Sequence, residues 1–253
     1  MPSILDQRAA RAVMKLPFCY VCGREFASGE STNRDHIPPQ SAFPPEDRKN
    51  FPLLLPTHTG CNHIFNLEDE LLCQLVALAH SREEQDTPKR LEIDAGFDRE
   101  GRTYTLLTNV NLHEIIRRWV RAFHASLYQE TISAVARFSI QTPLPSGSIV
   151  GNAVQVDPPR PQFKLFAERI ALNSQLGLTD QIVTNNGRMR YLCTWQRANN
   201  GQWFAMFRID LYAWNSFGDR TNFDPRECVG SYIIPNHYPV LATLGTELDL
   251  SRA

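Results

Sequence analysis

Two pairs of candidate metal ligands restrict the fold of this chain more than any other feature of its sequence. Cys19 and Cys22 form the first pair, His58 and Cys61 form the second, and two residues separate the members of each pair. Side chains at this spacing can bind one tetrahedral ion, and the glycine after Cys22 permits the tight backbone turn of such a half-site. The pairs together predict a structural Zn2+ site of the Cys3His type. The alternative is that His58 is an ordinary loop histidine and the thiols bind no metal.

The number and placement of the cysteines favour metal binding over disulfide formation. The chain of 253 residues has only six cysteines, whereas disulfide frameworks belong mainly to small, cysteine-rich secreted domains. The N-terminal segment lacks the features of a secretory signal, and no apolar run approaches the roughly 20 residues that a membrane span needs. We therefore expect a soluble, cytoplasmic protein without a membrane partner. The other cysteines are expected to be buried thiols: Cys73, Cys193 and Cys228.

The spacing of apolar residues predicts the elements of secondary structure. Helices are predicted over residues 4–15, 62–80 and 112–138, and the last of these is strongly amphipathic. Residues 91–107 are predicted to form two strands. Alternation of polar and apolar residues on both sides of 199–201 predicts a β-hairpin.

These elements predict an α+β fold in two parts. A zinc-stapled module is expected at residues 1–85, and the charged segment 81–90 marks its end. Residues 86–253 are expected to form an accessory α+β region, in which the long amphipathic helix packs against an antiparallel sheet. Substrate binding, dimerisation or regulation is the expected role of this region.

Polar residues suited to phosphodiester hydrolysis lie between the half-sites and directly after them. Asp35 and His36 lie between the pairs, and Asn62 follows the last ligand at the predicted start of a helix. Hydrolysis of a phosphodiester needs a base that activates water and a cation that stabilises the charged phosphorus centre. An imidazole is a suitable base, and carboxylate and amide oxygens are ligands for a hard cation. The alternative roles are capping of a turn by Asp35 and of a helix by Asn62.

The same residues resemble the HNH, or ββα-metal, nuclease superfamily, in its branch with zinc half-sites around an Asp-His dipeptide and a final Cys-Asn pair. The resemblance covers residues 18–75, and the strings CYVCG, RDHIPP, LPTHTGCN and LEDE are similar to those of stand-alone bacterial HNH proteins. It implies that His36 is the general base and that Asp35 and Asn62 bind a catalytic Mg2+ or Mn2+. Asn66 corresponds to the place where many members have a third metal ligand.

The expected activity is therefore that of an endonuclease that hydrolyses nucleic acid, with DNA as the expected substrate and anti-phage defence as the expected context. The formal net charge of −1 gives no global attraction to a polyanion, so binding would depend on local basic groups. The candidate contacts are Arg34 and three arginines of the long helix, Arg117, Arg118 and Arg121. The alternatives are a catalytically silent zinc module that recognises nucleic acid or a protein, and a homodimeric or partner-activated subunit of a defence complex.

Overall fold

The computed structural model describes ten segments of the chain: residues 2–48, 52–79, 92–97, 103–107, 111–133, 136–141, 147–150, 153–156, 161–211 and 228–234. They form a mixed α+β structure, as the sequence predicts. The helices are α1 (Gln7–Val13), α2 (Pro45–Arg48), α3 (Thr59–His63), α4 (Asn66–Ala79), α5 (Leu112–Tyr128) and α6 (Pro161–Gln175), with 3-10 turns at Gln40–Ala42 and Asn185–Gly187. No helix in these segments is long and apolar enough to cross a membrane.

The strands form one large sheet and three two-stranded ribbons. The strands are β1 (Ser3–Ile4), β2 (Thr32–His36), β3 (Leu54–His58), β4 (Ile93–Phe97), β5 (Thr103–Leu107), β6 (Arg137–Gln141), β7 (Gly147–Val150), β8 (Ala153–Val156), β9 (Asp180–Thr184), β10 (Met189–Arg197), β11 (Trp203–Leu211) and β12 (Cys228–Ile233). The order in the six-stranded sheet is β1-β9-β10-β11-β12-β6, and only the β1–β9 pairing in it is parallel. The ribbons are β2–β3, β4–β5 and β7–β8, all antiparallel.

Helices cover both faces of the large sheet. Successive residues of a strand point to opposite sides, and the two sides pack against different helices. On β10, Tyr191 and Cys193 belong to the main hydrophobic core with the apolar face of α5. Leu192, between them, packs in a second cluster that contains Ala167 and Ile170 of α6. The sheet is therefore a central layer between α5 and α6.

The main core contains residues from both sides of the predicted boundary near residue 85. Leu55 and Leu72 lie in the same hydrophobic cluster as Trp119 and Tyr191. The pairing of β1 with β9 also joins the N-terminal segment to the large sheet. The segment 80–91, which contains the predicted boundary, lies outside the described residues.

A strand–strand–helix unit lies in the N-terminal third. β2 and β3 pair with Asp35 opposite Leu55 and His36 opposite Leu54, and α3 begins directly after β3. Because β2 ends at His36, the Asp-His dipeptide lies at the end of this ribbon where β3 begins. The same unit has His58 at the other end of the ribbon, and Cys61 in the first turns of α3.

Three predicted helices differ from those in the structure. The first begins at Gln7 rather than residue 4, because the Asp6 side chain caps it by accepting from the Ala9 N–H at 2.8 Å. Ile4 instead pairs in β1. The third helix ends at Tyr128 rather than residue 138, because Gln129 adopts the left-handed conformation, with φ of 56°, that closes a helix.

The predicted β10–β11 hairpin and the β4–β5 strand pair are confirmed.

The second predicted helix is broken in two. α3 ends at His63 and α4 begins at Asn66, with the Phe65 N–H donating to the Asn62 carbonyl at 3.1 Å. Asn62 is therefore inside a short helix rather than at the start of a long one. Asn66 is not one regular turn further along the same helix.

Candidate metal centre and neighbouring polar cluster

A tight knuckle presents the first two candidate ligands. The Gly23 N–H donates to the Cys19 carbonyl at 2.8 Å, and the Cys19 N–H donates to the Arg24 carbonyl at 2.9 Å. Gly23 has a φ of 78°, a conformation that residues with a Cβ rarely adopt. The turn brings Cys19 and Cys22 to one side of the knuckle.

The second pair completes a four-residue cluster. The ligand atoms of Cys19, Cys22, His58 and Cys61 all lie within 4.8 Å of one another. His58 Nδ1 lies 3.3 Å from Cys22 Sγ and 3.9 Å from Cys61 Sγ. A tetrahedral Zn2+ with bonds of about 2.0–2.3 Å separates its ligands by about 3.5–4 Å. The residues therefore fit a metal ion such as Zn2+, and the pairing of half-sites predicted from spacing is confirmed.

The thiols of this cluster are coupled electrostatically, as expected for a cation site. Burial, together with the neighbouring Cys19 and Cys22 thiols, raises the pKa of Cys61 to about 12. Burial also opposes ionisation of Cys22, but hydrogen bonds from Arg24 and other neighbours lower its pKa to about 7. Since thiolates are the metal-binding form, a bound cation would relieve the repulsion among them. Four protein ligands also leave no open coordination position, which is typical of a structural rather than a catalytic site.

Asp35 lies in a buried polar cluster that is linked to the knuckle through Tyr20, the residue after Cys19. The Tyr20 hydroxyl donates a hydrogen bond to Asp35 Oδ2, and both side chains are buried. Burial raises the pKa of Asp35, whereas the nearby Arg118 guanidinium and the Tyr20 hydrogen bond lower it. The cluster therefore holds a carboxylate at the position where the sequence predicts one, with a hydroxyl partner that the sequence analysis does not identify.

Arg118 is part of the same cluster rather than of a nucleic-acid surface. It is only 3% exposed, forms an ion pair with Asp69, and its guanidinium carbon lies 4.5 Å from the centre of the Phe65 ring. Burial raises the pKa of Asp69 to about 6, although Arg118 opposes this shift. The prediction that Arg118 contacts nucleic acid is thus corrected, because an acceptor on α4 removes the arginine from the surface.

His36 projects from the face of β2 opposite to that of Asp35, because adjacent strand residues alternate. Its side chain is partly buried. Burial lowers the pKa of His36, and the Asp35 charge opposes this shift. The neutral imidazole is therefore the main form at neutral pH, and only this form can accept a proton from water.

Asn62 and Asn66 lie on either side of the break between α3 and α4. Asn66 Nδ2 lies 2.7 Å from His63 Nδ1 at the surface. The N-cap position of α3 is His58, which excludes the alternative in which Asn62 caps this helix. The break therefore places in two separate helices the two asparagines that the predicted helix 62–80 would hold in one.

The remaining candidate contacts differ in availability. Arg34 is exposed on β2. Arg117 is partly exposed and pairs with Glu114 at 2.7 Å, and the Arg121 Nη1 donates to the carbonyl of Val21 in the knuckle at 3.3 Å. The arginines of α5 thus form contacts within the protein. Of the four candidate contacts, Arg34 is the most exposed to solvent.

Sequence reasoning missed Tyr20, Asp69 and Glu30. Asp69 belongs to an acidic run that reads as a solvated helix face, and only its partner on α5 reveals its burial. Tyr20 lies between two ligands in the knuckle, and its burial had no sequence signal. Glu30 Oε2 lies 3.2 Å from His58 Nε2.

Comparison of the chain with protein-family models, curated proteins and solved structures finds no match.

Proposed function

We propose that the protein is a metal-dependent endonuclease of the HNH type that hydrolyses nucleic acid, with DNA as the expected substrate. The observation that carries this proposal is the position of Asp35 and His36 at the end of β2, in a strand–strand–helix unit closed by the Cys3His cluster. This order of elements is the one that the resemblance to ββα-metal nucleases implies. Asn62 lies in the helix of that unit.

The residues have the chemistry that such a site requires. Asp35 and Asn62 provide oxygen donors, which fit a hard cation such as Mg2+ or Mn2+. When bound, this cation would stabilise negative charge on the phosphate. His36 would accept the proton of the attacking water, and its lowered pKa keeps the imidazole neutral for this role. Tyr20 would hold Asp35 in place, since its hydroxyl donates to the carboxylate.

The test is cleavage of supercoiled plasmid by the full-length, zinc-loaded protein with Mg2+, with Mn2+ and with EDTA. Cation-dependent nicking or linearisation that is lost in His36→Ala, by about 100-fold or more, is the expected result for removal of a general base. His113→Ala is the matched control, because His113 is an exposed histidine at the start of α5. Cleavage that survives in His36→Ala would exclude His36 as the base.

The second candidate is a catalytically silent zinc module that binds nucleic acid or a partner protein. The burial of Asp35 against Tyr20 favours it, because such a carboxylate has a structural role without any cation. Binding of DNA in a gel-shift assay, with no cleavage by folded protein, would support this candidate. Cleavage that appears only in the presence of a second component would instead support a subunit of a defence complex, and the oligomeric state in solution would test the homodimer.

A further inference from the structure

The two nitrogens of the His58 ring face different partners. Nδ1 faces the thiols, at 3.3 Å from Cys22 Sγ and 3.9 Å from Cys61 Sγ. Nε2 faces Glu30, with 3.2 Å to its Oε2 atom. A neutral imidazole has one N–H donor and one acceptor nitrogen. A hydrogen bond from Nε2–H to Glu30 would therefore leave the Nδ1 lone pair directed at the metal position.

Glu30 is itself held in place by its own loop. Its Oε2 atom accepts from the Ala27 N–H at 3.0 Å, and Arg24 Nη2 lies 3.3 Å from its Oε1 atom. Arg24 also interacts electrostatically with Cys22, which raises the pKa of the guanidinium. Arg24 thus contacts both a candidate ligand and the carboxylate next to another ligand, and the loop between the half-sites forms an outer layer around the cluster. The Phe26 ring also packs against the His58 ring in an edge-to-face arrangement, with 5.0 Å between ring centres.

We propose that Glu30 is a positioning residue of the metal centre. Its carboxylate fixes the Nε2–H tautomer of His58, directs Nδ1 toward the ion and increases the basicity of the ring, as carboxylate partners of metal-bound histidines do. This role concerns Zn2+ affinity alone and does not depend on the proposed nuclease activity. A failure of plasmid cleavage would leave it unaffected.

The experiment measures the Zn2+ affinity of the full-length protein by competition with a chromophoric chelator. Outer partners of metal-bound histidines typically contribute about 10–100-fold to affinity, so Glu30→Ala is expected to weaken binding by that factor. Glu30→Gln should lose less, because its amide oxygen still accepts from Nε2–H. Glu25→Ala is the matched control, since Glu25 is an exposed acidic residue of the same loop, and it should bind Zn2+ like the native chain.

A coupled variant separates orientation of His58 from general support of the loop. In His58→Cys, a thiolate replaces the imidazole and no ring nitrogen needs orientation, so adding Glu30→Ala should not lower the affinity further. The Co2+-loaded protein gives a second readout: Glu30→Ala should shift the visible bands in the native background only. An equal loss of affinity in both backgrounds, or native affinity in Glu30→Ala, would overturn the proposal. Circular dichroism of the zinc-loaded variants confirms that each is folded.

Discussion

The buried Arg118 on α5 forms an ion pair with the partly buried Asp69 on α4, and the pair lies within electrostatic range of Asp35. The helix that supplies the arginine belongs to the second half of the chain, whereas both carboxylates belong to the first. A buried charge without its partner is strongly unfavourable. The pair therefore connects α5 to the polar cluster of the candidate site.

Replacement of Arg118 by methionine should destabilise the fold by about 2–4 kcal/mol at pH 7, because it leaves the partly buried Asp69 without its cation. The free energy of unfolding in urea measures this effect. In the double variant with Asp69→Asn, part of the loss should be recovered, since no uncompensated carboxylate remains. Equal destabilisation in the single and double variants would show that lost packing, not lost charge pairing, dominates.

Removal of the metal should unfold the N-terminal unit, because metal binding to a structural zinc site contributes roughly 10–16 kcal/mol in small zinc domains and is linked to folding. We expect about one Zn2+ per chain in the purified protein, and loss of that zinc in Cys61→Ser, as measured by elemental analysis. Chelation should also lower the melting temperature, and returned Zn2+ should restore it. A zinc-free protein with the native melting temperature would contradict this prediction.

Asp47 should be a second point of large destabilisation. It is 1% exposed, and its carboxylate accepts from Arg188 Nε at 3.0 Å and Asn186 Nδ2 at 3.1 Å. In Asp47→Ala these donors of the β9–β10 turn lose the Asp47 carboxylate as an acceptor, and a loss of about 2–4 kcal/mol in unfolding free energy is expected.

The matched variant is Arg188→Ala. In the native chain the Arg188 side chain is 44% exposed. This variant should remove at least as much stability as Asp47→Ala, because it leaves the buried Asp47 carboxylate without its cation, whereas Asp47→Ala removes the buried charge itself. The same urea titration measures both variants. An Arg188→Ala loss clearly smaller than that of Asp47→Ala would show that the other hydrogen bonds of the Asp47 carboxylate stabilise it without the guanidinium.

The free energy of unfolding should fall as the pH rises from about 4 to about 6, because Asp180 loses a proton over this range in the folded state. Burial raises its pKa to about 6, although the Tyr128 hydroxyl, 2.6 Å from Oδ2, opposes the shift. The folded state therefore binds a proton that the unfolded chain, with a pKa of about 3.9, has already released. The stabilising protonation is complete at low pH and is lost as the pH passes through the folded pKa.

Asp180→Asn removes this titration and keeps an oxygen that accepts from Tyr128. Relative to Asp180→Asn, the native chain should lose about 2–3 kcal/mol of unfolding free energy between pH 4 and pH 7, from about 1.4 kcal/mol per pKa unit. Urea titrations of both proteins at the two pH values give the difference. A difference that does not change with pH would rule out a raised pKa at this position.

The features that sequence reasoning predicted correctly depend on neighbours close along the chain. The pairs Cys19–Cys22 and His58–Cys61 have a ligand spacing that few other structures require, and the apolar stripe of α5 marks its buried face. The β10–β11 hairpin turns at Gly201, where a φ of 82° favours glycine. Each of these patterns has a local physical cause.

The features that it missed depend on partners far along the chain. Ile4 is in a strand because β9 pairs with it. Arginine is usually a surface residue, so nothing in the sequence marks Arg118 as buried. It is buried because Asp69 lies opposite it in the folded chain. Asn62 and Asn66 fit one helical pattern, but α3 ends at His63 and α4 begins at Asn66. The ring of Phe65, between the two helices, contacts Arg118.

The amino-acid sequence by itself therefore determined the ligand set of the metal centre, the α+β class and the main helix and hairpin, because spacing and periodicity act within a few residues. Only the tertiary structure decided which charged side chains are exposed and which are paired in the interior. The reason is physical: burial of a charge is tolerable only where an opposite charge or a hydrogen-bond donor arrives from another element. Tyr20 for Asp35 and Arg118 for Asp69 are such partners, and folding alone brings them together.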